Sequence, residues 1–317
     1  MIKINWLLYH EPVDLFVRTA KAFAEKIADL TDNRIQIDFF TSTEFNERSP
    51  EFFKRVIDPL TLFKSGEVQM GQFTSGQLGK WQATDFFALD MPFLFDSHEH
   101  CARVLEGTVG EDLLSYLEKN TPVKGLAFTY SGGYRLIAAD KEIKTAEDLK
   151  GMSLVTGSNP VFADTAEAFG CEVISINVRD FSEEAKQARL GNSVQTTLPR
   201  YKRDASPEVH KYVTNTKHSM FLTSIVIATD FWNQLSQEDQ QAIKTAAMYS
   251  SRLERQWTLE ESEKISKNQT ECEKLGIMSY KEFSNEESQK LKEATKTVYS
   301  RYKPLFSEGL IDNILQG

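Results

Sequence analysis

Cysteine is scarce in this chain: Cys101, Cys171 and Cys272 are the only three, widely separated and odd in number. That arithmetic fits neither a disulfide framework nor a zinc-binding spacing, and no metal site is expected. No apolar run is long enough to cross a bilayer, so direct membrane insertion is not expected. Glycine-rich phosphate loops of the Walker or dinucleotide type are missing, and no cofactor is implied. Positive charge is in the minority, with 37 Lys and Arg against 46 Asp and Glu, a formal net charge of -9. That balance argues against nucleic acid or an acidic membrane surface as a partner, because both reward clustered cations. It leaves room for a small anion, which needs only one or two local cations. No leader opens the sequence, since Met1-Ile2-Lys3-Ile4-Asn5-Trp6 runs straight into a strand-like pattern. Two readings follow: a cytosolic protein, or a mature form whose leader gave way to a starting methionine.

What is present is an alternation of strands and helices. At 317 residues the chain is long for one core and comfortable for two lobes. Residues 2–8 read as a buried strand, and 14–30 as an amphipathic helix carrying Phe16, Ala20, Phe23, Ala24, Ile27 and Leu30 at helical spacing. A strand at 34–40, a helix over 50–65, a strand at 68–73 and helices at 97–105 and 110–119 follow. Past Gly151 the alternation restarts, with strands at 154–155 and 173–176 and helices at 160–169 and 182–190. An apolar strand at 221–228 precedes Ser236-Gln237-Glu238-Asp239, which opens a helix by the Ser-x-x-acid signature. That helix is expected to run from 237 past 267, long enough to brace two bodies. Two alternating sets and one long late helix predict an α/β architecture of two lobes, with a ligand cleft between them.

The most telling stretch is Gly132-Gly133-Tyr134-Arg135-Leu136-Ile137. Successive side chains of a strand face opposite ways, so Arg135 can point out while Leu136 packs. The glycines free the backbone to bend or to approach another body closely. A guanidinium fixed there is a planar donor fork suited to a small carboxylate or sulfonate. The competing reading is an ordinary structural ion pair.

In order and spacing the chain resembles the solute-binding proteins of tripartite ATP-independent periplasmic (TRAP, DctP-type) transporters. The resemblance is carried by Phe23-Ala24-Glu25-Lys26-Ile27, Asn33-Arg34-Ile35-Gln36-Ile37 and Ser65-Gly66-Glu67-Val68-Gln69-Met70. It continues through Leu89-Asp90-Met91-Pro92-Phe93-Leu94-Phe95, Gly133-Tyr134-Arg135 and Thr145-Ala146-Glu147-Asp148-Leu149-Lys150-Gly151-Met152. Pro207-Glu208-Val209-His210-Lys211-Tyr212, Thr216-Lys217-His218 and Leu235-Ser236 complete it. The resemblance implies a two-lobed periplasmic-binding-protein-like fold, a long helix spanning both lobes, and ligand held between them. The partition expected is 1–132 plus 221–256 for one lobe and 133–220 plus 257–317 for the other. It also implies no catalysis, a periplasmic location, and delivery of a small organic solute to TRAP membrane permease subunits.

The chain departs from that family in two places. The arginine that most members place after Asp-Leu-Lys-Gly falls here on Val155. A Gly-x-Val-Asp-Gly-x-Glu run reads Gly191-Asn192-Ser193-Val194-Gln195-Thr196-Thr197-Leu198, with Gln195 and Leu198 where acids are usual. Hydrogen bonds to a charged group are each worth about 1.5–3 kcal/mol, so an unreplaced arginine weakens a carboxylate roughly tenfold to a hundredfold. Three responses are open. Arg135 holds the anion alone, or Arg200 or Arg203 supplies a second cation. Alternatively, the ligand is zwitterionic or neutral and is met by Ser158, Asn159, Gln195, Thr196 and Thr197. Tyr134 flanks Arg135, and Tyr9, Phe73 and Thr74 are candidate contacts from the other lobe, with Trp6 and Trp81 as further walls.

Other signals rank lower. His98 and His100 are two apart on an expected helix and point to different sides, without a further ligand set. His210 and His218 have no acid or nucleophile at a telling spacing. The Asn268-Gln269-Thr270 triplet falls on the long helix, and 282–296 reads as a solvated charged face. An enzyme on the same scaffold would need a nucleophile or acid–base pair, and none stands out. A sensor subunit would use the same binding event, and fold alone cannot separate it from a transport receptor.

Overall fold

The computed structural model describes residues 1–9, 14–41, 59–176 and 191–317. Of the helix expected over 50–65, residues 50–58 lie outside them and Pro59–Ser65 is helical; the helix expected over 182–190 lies outside them altogether. Eleven strands are described: β1 (Ile2–Leu8), β2 (Ile35–Thr41), β3 (Met70–Thr74), β4 (Val123–Tyr134), β5 (Leu136–Ala139), β6 (Ser153–Gly157), β7 (Glu172–Ile176), β8 (Ser193–Thr196), β9 (Tyr212–Asn215), β10 (Met220–Ala228) and β11 (Ser279–Glu282). They form a five-stranded sheet ordered β2-β1-β3-β10-β4 and a six-stranded sheet ordered β11-β9-β5-β8-β6-β7. The chain divides into two compact units, one of 1–86, 103–131 and 222–257, the other of 87–102, 132–221 and 258–317. Residues 87–102 thus group with the second unit, whereas chain order had set them in the first.

In the first unit β1 runs parallel to β2 from Ile2↔Ile35 onward, and β3 lies antiparallel to β10. Helix Asp14–Leu30 turns Phe16, Ala20, Phe23 and Ile27 inward. Of these, Ala20, Phe23 and Ile27 meet Ile4, Trp6, Met70, Ile225 and Ile227 of the sheet and Ile243, Ala246 and Ala247 of the long helix. That helix runs over Gln237–Ser266 and stops short of the expected 267; Asn268 caps a separate helix, Gln269–Leu275, so the Asn268-Gln269-Thr270 triplet does not lie on the long helix. Ser236 starts it: its hydroxyl accepts from the Asp239 backbone N–H at 3.1 Å and donates to the Asp239 carboxylate at 2.8 Å. Gln72, Thr129, Ser131 and Thr223 gather around the buried Glu254 carboxylate, with Gln72 Nε2 at 2.8 Å and Ser131 Oγ at 2.5 Å. Burial outweighs these donors and pushes the Glu254 carboxyl above its ordinary value.

In the second unit the period-two pattern of the strands separates two cores. Leu136, Ala138, Val155 and Val194 pack on one face with Leu198 and Tyr201. Ile137, Ala139 and Leu154 pack on the other with Leu149 and Phe169. Residues 87–102 are tied in by the Phe93 N–H to the His218 carbonyl at 2.6 Å and the Tyr299 hydroxyl to the Pro92 carbonyl at 2.9 Å. The membership of β4 changes after Ser131, that of β10 before Leu222, and that of the long helix after Trp257. At the first of these points Gly132 and Gly133 adopt φ of 151° and 69°, backbone that side chains resist.

Candidate functional site

Arg135 follows β4 directly, its N–H donating to the Ser219 carbonyl at 2.8 Å. Its side chain is 8% exposed. The guanidinium carbon lies 4.1 Å from the Phe162 ring centroid and 4.7 Å from that of Phe221, so the cation sits against two aromatic faces. Among the described residues no carboxylate pairs with it, and its buried Nε has no hydrogen-bond partner. Burial lowers its pKa to about 10, with Asp90 opposing and Arg200 adding to the fall, so it stays charged at neutral pH. An unpaired buried cation is costly, and a site that keeps one is built for an anion.

The nearest second cation is already engaged. Arg200 Nε and Nη2 donate to Asp204 at 3.0 and 3.3 Å, and its guanidinium lies 4.4 Å from the Phe221 centroid. Only Nη1 is left buried without a partner. Thr196 donates to the same Asp204 carboxylate at 3.0 Å. Burial alone would raise the Asp204 carboxyl, but Arg200, Arg203 and Thr196 together hold it below its ordinary value.

Strand register decides what else faces Arg135. β5 and β8 pair antiparallel through Ile137↔Gln195 and Leu136↔Thr196. Gln195 therefore shares the Ile137 face, the face of Arg135 two residues earlier, and Thr197 lies two residues beyond Gln195. In β6, Val155 packs in the core of the opposite face with Leu136 and Val194. Thr156, one residue on, returns to the Arg135 side. Among the described residues, Gln195 Oε1, Thr156 Oγ1, Thr197 Oγ1 and Ser219 Oγ are buried without hydrogen-bond partners. Gln195 Nε2 sits 2.7 Å from His218 Nε2, and Thr216 Oγ1 lies 2.6 Å from His218 Nδ1. Burial, with Arg135 adding to it, pushes His218 down to about 3 and keeps the ring neutral.

Asn159 is structurally engaged. Its Oδ1 accepts from the Val161 N–H at 3.0 Å, capping helix Pro160–Ala168, and its Nδ2 donates to Asp90 at 2.7 Å. Ser158 is exposed beyond the end of β6. The Tyr134 ring meets His98 edge-on at 4.9 Å. Tyr9, Phe73 and Thr74 all belong to the first unit. The half-buried Tyr9 ring lies 5.1 Å from Phe73, which packs on Trp81 at 4.8 Å. Thr74 caps helix Ser75–Lys80 by accepting from the Gln77 N–H at 3.1 Å. Trp6 is wholly buried against Phe23 in the first core. His100 bridges the Asp96 N–H and the Ile314 carbonyl, and His210 bridges the Ser206 N–H and the Gly191 carbonyl. Sequence reasoning passed over Thr156 and read His218 as an ordinary residue. The two-residue strand period past Val155 and the Thr216-x-His218 spacing would have pointed to them.

The sequence profile of the bacterial extracellular solute-binding proteins, family 7 (DctP), matches residues 9–304. A solute-binding protein of Roseobacter denitrificans is 28% identical over 243 residues, 76% of this chain and 70% of the relative. The C4-dicarboxylate-binding protein DctB of Bacillus subtilis is 23% identical over 300 residues, 94% of this chain and 81% of the relative. Among solved structures, a TRAP periplasmic solute-binding protein of Polaromonas bound to D-erythronate superimposes with a TM-score of 0.83. It is 21% identical, and the match covers 99% of this chain and 98% of that one.

Proposed function

Because the chain belongs to family 7 of the bacterial extracellular solute-binding proteins, the solute receptors of TRAP transporters, we propose that it captures a small organic acid whose anionic group is held by Arg135. Members of this family bind solutes for transporters and are not enzymes. The observation that carries the assignment of Arg135 is its buried guanidinium between Phe162 and Phe221, which no carboxylate pairs among the described residues. A planar fork held between two rings offers two parallel donors to a carboxylate, and the dry surroundings strengthen the pairing. Gln195, Thr156 and Thr197 supply neutral polar contacts, and Tyr134 and Arg200 border them. Tyr9, Phe73 and Thr74 are the corresponding proposal for the first unit. In this reading the protein works in the periplasm and hands its solute to membrane permease subunits. Among the described residues no helix is long and apolar enough to cross a membrane.

A zwitterionic or neutral guest is not favoured. Asp90 is bonded by Asn159 and Asp204 by Arg200, so an ammonium group finds its nearest carboxylates engaged and Arg135 beside it. The test is thermal denaturation with a panel of carboxylates, sulfonates and neutral osmolytes. At least one acid is expected to raise the melting temperature, and Arg135→Ala is expected to weaken its binding by tenfold to a hundredfold or more, consistent with about 1.5–3 kcal/mol per charged hydrogen bond. A panel that gives no shift, or an acid shift untouched by the substitution, overturns the assignment.

A further inference from the structure

We propose that Glu254 is a proton-dependent clasp: as the neutral acid it fastens β3, β4 and β10 to the long helix, and loss of its proton loosens them. The clasp lies in the first unit and is independent of Arg135 and of any solute.

Glu254 is wholly buried on the long helix. Four neutral side chains from three strands converge there: Gln72 of β3, Thr129 and Ser131 of β4, and Thr223 of β10. Ser131 Oγ lies 2.5 Å from one carboxyl oxygen, and Gln72 Nε2 lies 2.8 Å from the other. The hydroxyls of Thr129 and Thr223 meet at 2.7 Å, and they approach the Gln72 amide at 2.8 and 2.9 Å. Thr19, from helix Asp14–Leu30, also reaches the carboxyl, but its hydroxyl donates to the Leu15 carbonyl at 2.8 Å.

The node lacks a cation. On the long helix, Arg252 and Arg255 both donate to Glu106, and the Arg255 guanidinium lies 4.7 Å from the Tyr130 ring centroid of β4. Arg18, beside Thr19, pairs with Asp14 at 3.6 Å and lies 4.2 Å from the Trp257 ring. Strands β3 and β10 carry no charged side chain, and Lys124 at the far end of β4 pairs with Glu118. Among the described residues no ion pair reaches Glu254. A carboxylate sealed from water among neutral partners is costly, whereas the neutral acid is not and brings a hydrogen of its own. Burial thus outweighs the donors and raises the carboxyl above its ordinary value. Either orientation of the Gln72 amide agrees with this. With nitrogen inward, it lies within 3.1 Å of five oxygens but has two hydrogens to offer. With oxygen inward, it needs the acid proton as a donor.

Three of the elements joined here are those that leave the unit. The membership of β4 changes after Ser131, that of β10 before Leu222 and that of the long helix after Trp257. Ser131, Thr223 and Glu254 stand at or close to those points. A bare charge at Glu254 would disrupt the bonds that hold their first-unit ends together.

The experiment is infrared spectroscopy with hydrogen exchange on the full chain, wild type and Glu254→Gln, from about pH 6 to about pH 9. At the acid end the wild type is expected to show the carbonyl stretch of a protonated carboxyl, missing from Glu254→Gln. As pH rises that band is expected to fade. Amide exchange over 127–131, 222–226 and 250–257, corrected for the intrinsic effect of pH, is expected to quicken roughly tenfold or more as it fades. Glu254→Gln, neutral throughout, is expected to hold its corrected exchange within about threefold. If that variant does not fold, Ser131→Ala takes its place: losing a donor to the anion is expected to move the fading of the band to higher pH, and an unmoved band counts against the clasp. No band at the acid end, or one undiminished at the alkaline end, overturns the proton dependence. A band that fades while exchange stays constant overturns the loosening.

Discussion

At the scale of the residue, His218 is where pH enters the second unit. Its folded pKa lies near 3, below the ordinary imidazole value near 6.5, so between those limits the unfolded chain binds the extra proton. A group depressed in this way contributes stability that is lost as pH falls. Urea denaturation at pH 7 and pH 5 is expected to show the wild type losing about 1–2 kcal/mol more than His218→Gln. Equal losses would mean that the ring is not held neutral. The residue scale is also where sequence reading stopped short. A buried neutral histidine and a solvated one look alike in a string of letters, because the difference lies in which distant groups close over the ring. Arg135, the proposed anchor, stood out in the sequence because two glycines and a strand pattern surround it.

At the scale of the element, the alternation of strands and helices, the Ser236 cap and the long helix were all readable from local pattern. Each is dictated by periodicity or by a short capping signature. Register was not. Val155 drew attention as the place of a missing arginine, yet it packs with Leu136 and Val194, and the next residue turns to the other face of the sheet. A single step along a strand exchanges its two faces, and only pairing to β8 reveals which is which. The placement of 87–102 was hidden for a similar reason, since long-range bonds such as Phe93 to His218 assign it and chain order does not. The turn into Arg135 gives this scale its prediction. A Cβ at Gly132 would stand 2.2 Å from Thr197 Oγ1, on backbone of φ 151°. Gly132→Ala is expected to cost about 1–3 kcal/mol in urea unfolding and to weaken acid binding, because the strain falls between Arg135 and Thr197. Unaltered stability would show that this backbone is more permissive than its torsions imply.

At the scale of the whole molecule, the acidic balance and the two units set what can be measured. A solute that binds only the folded chain stabilises it by about 2.7 kcal/mol at a hundredfold excess over Kd. For a cooperative body of 150–250 residues that is a rise of roughly 5–10 °C in melting temperature, well within the reach of calorimetry. A rise under about 1 °C with a ligand shown to be bound would mean that it also binds the unfolded chain. One last consequence follows from Arg135 lying between Phe162 and Phe221. A long cationic side chain in water samples many rotamers, and a guest that captures it must first freeze them. Here the two rings hold the fork before any solute arrives, so that entropic toll is largely settled at folding. Capture should then be quick, and differences among acids should show in how long each one stays.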